Sequence, residues 1–192
     1  MEFSQPRTNT GSKIEGIWLI QPTLFEDKRG FFMESWSQRK MNRLLGYSNN
    51  FVQDNHSRSS YGVLRGLHYQ IDPNAQGKLI RCIVGKIYDV AVDIRLNSKT
   101  FCNWVGVELS DQNKQQLWIP PGFAHGFLAL TEHVEIIYKV TDYWNKSSER
   151  SIRWDDPSLS IDWPKIDSDF LISEKDEKAN LITDLSENDF FL

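Results

Sequence analysis

The sequence predicts an all-β domain, and three observations support that prediction. Short hydrophobic runs recur about every ten residues with turn residues between them, which is typical of the strands of a sandwich or barrel. Aromatic residues make up 12% of the chain, and such residues favour strands. The 192 residues are 40% hydrophobic, which suits one compact core. We therefore expect a single domain over residues 1–192, with its core over about 14–176 and a flexible polar arm over 1–13.

The elements follow from local patterns along the chain. Alternation is clearest over 87–95, where Tyr88 and Val90 share one face and Asp89 and Ala91 share the other. The predicted strands cover 14–24, 30–36, 51–57, 62–70, 78–84, 87–95, 104–109, 115–119, 126–130 and 134–143. A short helix is predicted over 41–45 because Gly46 ends it, and 173–181 is compatible with a second helix. The acidic, aromatic tail 186–192 is either disordered or packed on a partner.

Composition argues against several classes of function. A net charge of −4 and a pI of about 5.6 give no general electrostatic case for nucleic acid. We expect no membrane span and no signal peptide, because the chain has no long apolar run and its polar N-terminus has no apolar core. Cys82 and Cys102 follow no metal-binding spacing, so we expect reduced thiols in a cytoplasmic protein.

The segment GVLRGLHYQ, residues 62–70, places a cation and an imidazole in a hydrophobic strand. Burying a charge without a partner is costly, so this strand should line a polar pocket. Arg65 and His68 are an odd number of residues apart and would point to opposite faces of a regular strand. Both reach one cavity only if the strand bulges, and Gly66 is the place for that; otherwise Arg65 reaches a different edge of the site.

The run PPGFAHGF, residues 120–127, resembles the second motif of cupins, which are double-sheet jelly rolls. The first cupin motif normally supplies two histidines, but the corresponding place here reads His68-Tyr69-Gln70. His68 and His125 alone are a poor set of ligands for a catalytic metal. We therefore expect a jelly roll that uses neither a metal nor another cofactor.

Longer blocks resemble the dTDP-4-dehydrorhamnose 3,5-epimerase family over about residues 14–176. The blocks are FEDKRGFFMES, FVQDNHSRSSYGVLRGLHYQ, QGKLIRCIVGKIYDVAVDIR, QQLWIPPGFAHGF, EIIYKVTDYW and ISEKD. The resemblance implies a dTDP-4-keto-6-deoxy sugar as substrate, a homodimer and no redox cofactor. C3 and C5 of such a sugar flank a ketone, so each can lose a proton to give an enolate. A base on one face and an acid on the other then invert the centre.

The same resemblance assigns four catalytic roles. His68 matches the base, and Asp176 matches the carboxylate that orients its ring. Tyr138 matches the acid on the opposite face, and Lys78 matches the cation beside the developing oxyanion. Each residue also has a plainer interpretation. Asp176 completes a capping box with Ser173, a role that competes for the same carboxylate; Tyr138 is a core tyrosine; Lys78 is a solvated lysine at a strand start.

The resemblance further implies a set of substrate-binding residues. They are Arg29, Glu34, Gln53, Asn55, Arg65, His125, Glu149 and Lys175. Arginine suits a pyrophosphate because its planar fork binds bidentately. The plainer alternatives are a turn residue for Arg29, exposed polar alternation for Gln53 and Asn55, and a packed residue for His125. Glu34, Glu149 and Lys175 are equally well read as solvated charges.

Three other functions stay open at this stage. A related enzyme would epimerise only C3 or only C5, a difference of positioning that sequence does not reveal. A metal-dependent cupin would need ligands that are missing here. A cupin that binds a sugar nucleotide without turnover would be expected to lack His68 or Tyr138, and both are present.

Overall fold

Two antiparallel sheets dominate the computed structural model, which describes all 192 residues. The six-stranded sheet has the order β1-β2-β10-β7-β12-β5, and the five-stranded sheet has the order β13-β6-β11-β8-β9. Strands β3 and β4 form a separate hairpin. The fold is the predicted all-β jelly roll.

The bounds of the elements are as follows. The strands are β1 Glu2–Ser4, β2 Trp18–Gln21, β3 Leu24–Asp27, β4 Gly30–Met33, β5 Gln53–Ser59, β6 Leu64–Gln70, β7 Lys78–Val84, β8 Lys86–Asp93, β9 Trp104–Ser110, β10 Gln116–Ile119, β11 Phe123–Ala129, β12 Val134–Val140 and β13 Glu149–Ser151. The helices are α1 Gln38–Leu45 and α2 Glu174–Glu177, and two 3₁₀ turns cover Ile182–Asp184 and Glu187–Asp189. None of the helices has the length and apolar character needed to cross a membrane.

The main core fills one end of the space between the two sheets. Ile80 and Ile136 enter it from the six-stranded sheet, and Ile87 and Ala91 enter from the five-stranded sheet. All four are almost completely buried. Alternation therefore sends every second residue of these strands inward, and polar residues at the inward positions beyond the core leave room for a pocket.

A second apolar layer covers the outer face of the five-stranded sheet. Leu67, Tyr69 and Val90 point into it and meet the C-terminal third of the chain, including Trp163. This layer explains why β6 and β8 carry hydrophobic residues on the face that points away from the main core: both faces of each strand are covered. The polar residues of these two strands that line the pocket face the other way, toward the space between the sheets.

Most predicted strands are present, with shifted ends. The predicted strand over 14–24 is shorter: β2 ends at Gln21, and β3 begins after Pro22, which has no N–H for a ladder. Strand β13 was not predicted, because three residues are too few to show a period. Helix α2 covers only four residues of the predicted 173–181. Gly46 ends α1 in the left-handed conformation, with φ of 77°, as predicted.

Both ends of the chain pack on the fold. The polar arm, which we expected to be flexible, includes β1, and β1 pairs with β2 at the sheet edge. In the C-terminal tail the Phe191 carbonyl accepts a hydrogen bond from Leu96 N at 2.7 Å, and the Phe190 ring packs edge-on against Phe101. The tail is thus ordered against its own chain rather than disordered.

Candidate active site

A cavity of about 380 Å³ opens between the sheets, at the end that the main core leaves free. Its walls come from both sheets and from the loop after β12. The lining residues are Gln53, Asn55, Ser57, Arg65, His68, Tyr69, Gln70, Gln76, Lys78, His125, Phe127, Ile136, Tyr138, Trp144 and Glu149. Eight of the twelve residues predicted from the family resemblance to act in catalysis or binding therefore line one cavity. Asp176 and Lys175 do not line it but contact His68 and Glu149, which do.

A bulge in β6 brings Arg65 and His68 to this cavity. His68 lies opposite His125 on β11, but Arg65 lies opposite Phe127, so two residues of β6, Gly66 and Leu67, face the single residue Gly126 of β11. The extra residue is accommodated at Gly66, whose φ is +122°. A Cβ there would come within 2.5 Å of the Cα of Gly126. The predicted bulge is confirmed, and it requires glycine for both conformation and space.

The His68 ring is held by Asp176. His68 Nε2 lies 2.6 Å from Asp176 Oδ1, and the backbone N–H of Gly66 donates to Oδ2 at 3.3 Å. Burial would raise the pKa of Asp176, but the hydrogen bonds and the charge of His68 outweigh it, so that this pKa is lowered. With Nε2–H donating to the carboxylate, the lone pair of the neutral ring is on Nδ1, which makes Nδ1 the basic atom.

Lys78 lies at the start of β7 with its side chain buried in the cavity. Its Nζ donates to the carbonyl oxygen of His68 at 3.0 Å, which places the ammonium beside the His68 strand. Burial lowers the pKa of Lys78 to about 8, although the negative charges of Asp89 and Glu149 act in the opposite direction. The structure thus excludes the interpretation of Lys78 as a solvated lysine.

Tyr138 lines the cavity from the opposite sheet. It lies on β12 of the six-stranded sheet and shares the inward face with Ile136. His68 belongs to the five-stranded sheet. Burial raises the pKa of the Tyr138 phenol, the charge of Arg65 lowers it, and Glu149 raises it. A phenol that stays protonated near neutral pH therefore lies across the cavity from the imidazole.

Polar side chains of β5 and β6 line the same cavity. Gln53 Nε2 donates to Asn55 Oδ1 at 2.8 Å, so the two predicted neighbours share a face. The exposed Arg65 guanidinium donates through Nε to Ser59 Oγ at 3.1 Å and through one terminal nitrogen to the Arg58 carbonyl. These bonds fix the guanidinium while leaving other N–H groups free for a ligand.

An ion pair stands at the rim of the cavity. Glu149, the first residue of β13, lies 2.8 Å from Lys175 Nζ. The pKa of Glu149 is lowered because the bond and charge of Lys175 outweigh the effect of burial, which alone would raise it. Lys175 directly precedes Asp176, so one short segment supplies both the carboxylate partner of His68 and a cation at the rim.

The structure also places two residues at the site that were not predicted from the sequence, Asp89 and Gln70. His125 Nε2 lies 2.8 Å from Asp89 Oδ1, and Asp89 is completely buried. Gln70 is buried beside the cavity, accepts from Asn145 N at 2.7 Å and donates to the Tyr143 carbonyl at 3.2 Å. It thereby fixes the loop that carries Trp144. The only available signal was polar residues within strands buried on both faces.

The two cavity histidines occupy opposite positions on neighbouring strands, yet each directs Nε2 to its own carboxylate. No group of three or more His, Cys, Asp or Glu side chains is placed to hold a metal ion. The expectation of a reaction without a metal stays a prediction.

Two predicted binding residues do not line the cavity of their own chain. Arg29 lies at the turn of the β3–β4 hairpin, where it pairs with Asp27 and its side chain is 84% exposed. Glu34 follows the hairpin and pairs with Lys40 at 2.6 Å. The hairpin is joined to neither main sheet, which is why its residues lie apart from the cavity.

Comparisons with known proteins agree with this architecture. The family model described as dTDP-4-dehydrorhamnose 3,5-epimerase matches residues 11–184. A Pseudomonas aeruginosa protein named dTDP-4-dehydrorhamnose 3,5-epimerase is 54% identical over 171 residues, which cover 89% of this chain and 93% of the relative.

Two solved structures extend the comparison. A Legionella pneumophila dTDP-6-deoxy-D-glucose-3,5-epimerase, in complex with dTDP-4-keto-L-rhamnose, is 46% identical with a TM-score of 0.91; the match covers 99% of this chain and 98% of that one. A 3'-monoepimerase from Streptomyces bikiniensis, in complex with dTDP-quinovose, is 32% identical with a TM-score of 0.84, covering 88% and 85%. The match of the family model, the curated relative and both folds leads to one conclusion: this chain belongs to the dTDP-4-dehydrorhamnose 3,5-epimerase family.

Proposed function

We propose that the protein inverts C3 and C5 of dTDP-4-dehydro-6-deoxy-D-glucose and so forms dTDP-4-dehydro-L-rhamnose. One observation carries the proposal: an imidazole held by a buried carboxylate and a protonated phenol line one cavity from opposite sheets, with a buried ammonium beside them. Inversion next to a ketone needs these three groups. The Legionella relative was solved with a 4-keto sugar nucleotide, which supports the same substrate class.

The reaction balances in two proton transfers at each carbon. His68 Nδ1 takes the proton from C3 or C5, and the electron pair of that bond moves into the ketone to give an enolate. The buried Lys78 ammonium stabilises the oxyanion that develops on C4. Tyr138 then donates its proton to the opposite face of the carbon. His68 is left as imidazolium and Tyr138 as phenolate, and exchange with solvent resets both.

The remaining cavity residues are suited to binding. Arg65, Gln53 and Asn55 present donors for the pyrophosphate at the face of β5 and β6. His125 presents its free ring edge to a sugar hydroxyl, because its Nε2 is bonded to Asp89. Glu149 and Lys175, paired at the rim, are placed to contact the nucleoside end of the ligand.

We further propose that two copies form a homodimer through the β3–β4 hairpin. Phe25, Phe31 and Phe32 are all exposed on it, and an isolated two-stranded hairpin is marginally stable by itself. A cluster of exposed aromatic side chains is typical of an interaction surface. Burying it against a second copy would carry Arg29 and Glu34 to the partner's cavity, which accounts for two binding residues that lie away from their own.

We place the enzyme in the cytoplasm. Cys82 and Cys102 are both free thiols, and disulfides are rare in reducing compartments. Recovery of the epimerase activity in the cytosolic fraction of lysed cells would support this location.

A single-centre epimerase is the second candidate. The Streptomyces bikiniensis relative is named a 3'-monoepimerase and shares the fold. Both kinds of enzyme would use His68 and Tyr138. Which carbons react depends on how the sugar ring is placed between these two side chains and how long it stays bound there.

Incubation with dTDP-4-keto-6-deoxyglucose in D₂O tests the proposal. We expect deuterium at both C3 and C5 by NMR, with and without a chelator, and no exchange in His68→Ala. Exchange at one carbon would make the protein a single-centre epimerase. Ligand binding without exchange at either carbon would reject the epimerase function for this substrate.

A further inference from the structure

Asp89 is a carboxylate that is completely buried in the interior. Its strand neighbours on the same face, Ile87 and Ala91, belong to the main core, and Asp89 itself has no exposed surface. Its Oδ1 accepts one hydrogen bond, from His125 Nε2, whereas Oδ2 is buried with no hydrogen-bond partner. A valine at this position would avoid the cost of an unpaired buried carboxylate oxygen.

A charge of opposite sign lies on the facing sheet. Lys78 on β7 shares the inward face with Ile80. Asp89 on β8 shares the inward face of its own strand with Ala91. The two buried charges of opposite sign therefore share the space between the sheets. Asp89 is also the largest influence that opposes the effect of burial on the pKa of Lys78. Electrostatic attraction of this kind is strong where water is excluded.

We propose that Asp89 is a positioning residue for the reaction: its buried carboxylate orients His125 and supplies the counter-charge that holds Lys78 as an ammonium facing the substrate ketone. This inference rests on the epimerase function proposed above and goes beyond it. In this arrangement the site contains two imidazole–carboxylate pairs with different tasks. His68–Asp176 moves protons, and His125–Asp89 maintains the cationic side of the cavity.

Other charged groups face Lys78 and must be separated from Asp89 in any test. They are His68 on β6, His125 on β11, Tyr138 on β12, Arg65 on β6 and Glu149 on β13. Among them only Glu149 carries a negative charge, and it is paired with Lys175 at the rim. Removing the negative charge of Asp89 should therefore lower the pKa of Lys78, with no other carboxylate free to replace it.

The test compares Asp89→Asn with the wild-type enzyme in two measurements. An NMR titration of the Lys78 ε-carbon, assigned by its loss in Lys78→Arg, should show a midpoint near 8 in the wild type and a lower one in the variant. The kcat/KM of the variant should fall on the order of 10–100-fold near neutral pH and recover relative to wild type as the pH is lowered. Glu108→Gln, which removes an exposed charge from the adjacent strand β9, should change neither.

Two further variants keep the inference falsifiable. Asp89→Ser removes the charge with a smaller side chain if the asparagine variant does not fold, and Asp89→Glu should keep the Lys78 midpoint near the wild-type value. An unchanged Lys78 midpoint in folded neutral variants would overturn the inference, as would an activity loss that is equal at every pH. Because the titration requires no turnover, it gives a result even if the proposed epimerase reaction fails.

Discussion

His68 and Asp176 meet at 2.6 Å although 108 residues separate them in the sequence. The contact resolves two competing interpretations of Asp176. Its backbone N–H donates to Ser173 Oγ at 3.2 Å and so caps α2, while its carboxylate is directed to the His68 ring and to Gly66. The helix cap and the contact with His68 therefore use different atoms of Asp176 and do not compete.

Asp176→Asn should lower kcat by about 10²–10⁴-fold with little change in KM, because an amide no longer stabilises the imidazolium or fixes the ring with Nδ1 free. Steady-state kinetics measure the loss, and the thermal unfolding midpoint checks the fold. Glu177→Gln, on the exposed side of the same helix, is the matched control. Near-normal kcat in Asp176→Asn would remove the pair from the mechanism.

Tyr138→Phe should separate exchange from inversion. His68 can still remove a proton and return a deuteron to the same face, but the opposite face has no donor. We expect deuterium in recovered substrate, together with a large fall in epimerised product, when both are followed by NMR in D₂O. Normal yields of inverted product would show that another group donates the proton.

The kcat/KM profile should decline above about pH 8 as Lys78 loses its proton. The sign follows from the charge: the ammonium stabilises the oxyanion, and the neutral amine does so less well. The phenol of Tyr138 titrates higher, because burial raises its pKa, so the two limbs are distinguishable. In Lys78→Arg, residual activity should show no decline near pH 8; persistence of that limb would assign it to another group.

Replacing Phe25 and Phe32 together by serine should shift the protein from dimer to monomer. Their rings lie 6.4 Å apart on the hairpin, and Phe32 is 70% exposed. Light scattering after size-exclusion chromatography measures the mass. Tyr47→Ser removes another exposed aromatic ring, outside the hairpin, and should leave the mass unchanged. A monomeric wild type would contradict the proposed interface.

Mixed dimers test whether Arg29 acts in the partner's cavity. Arg29→Ala should raise KM, and His68→Ala should abolish turnover. A heterodimer of these two variants has one cavity with an intact His68, which receives Arg29 from the other subunit. Mixing the inactive His68→Ala with Arg29→Ala should therefore restore wild-type KM in part of the sites; no restoration would mean that Arg29 acts within its own chain or has no role.

How much the sequence reveals depends on the range of the contact. The alternation of β7 and β8 and the glycine that ends α1 are local, and their elements were predicted. Strand β13 was missed because it depends on pairing with β6 and has no pattern of its own. Asp89 was seen only as the polar half of an alternating strand, since its importance arises from a histidine on another strand.

The family resemblance supplied the remaining site residues, and the structure determines which of them meet. Nothing in the local sequence around Tyr138 or Lys78 indicates a site. Only the packing of the two sheets against each other places both residues in one cavity with His68. The structure shows no cavity contact for Arg29 or Glu34, because the β3–β4 hairpin is hydrogen-bonded to neither main sheet.

The bulge at Gly66 changes the phase of β6. Before it, the odd-numbered Val63 and Arg65 point inward; after it, the even-numbered His68 and Gln70 do so. If the chain paired here as a regular strand without the bulge, the odd-numbered residues would stay inward and His68 would point into the outer apolar layer. The bulge alone, with no exchange of chemical groups, therefore determines which face of the five-stranded sheet presents His68.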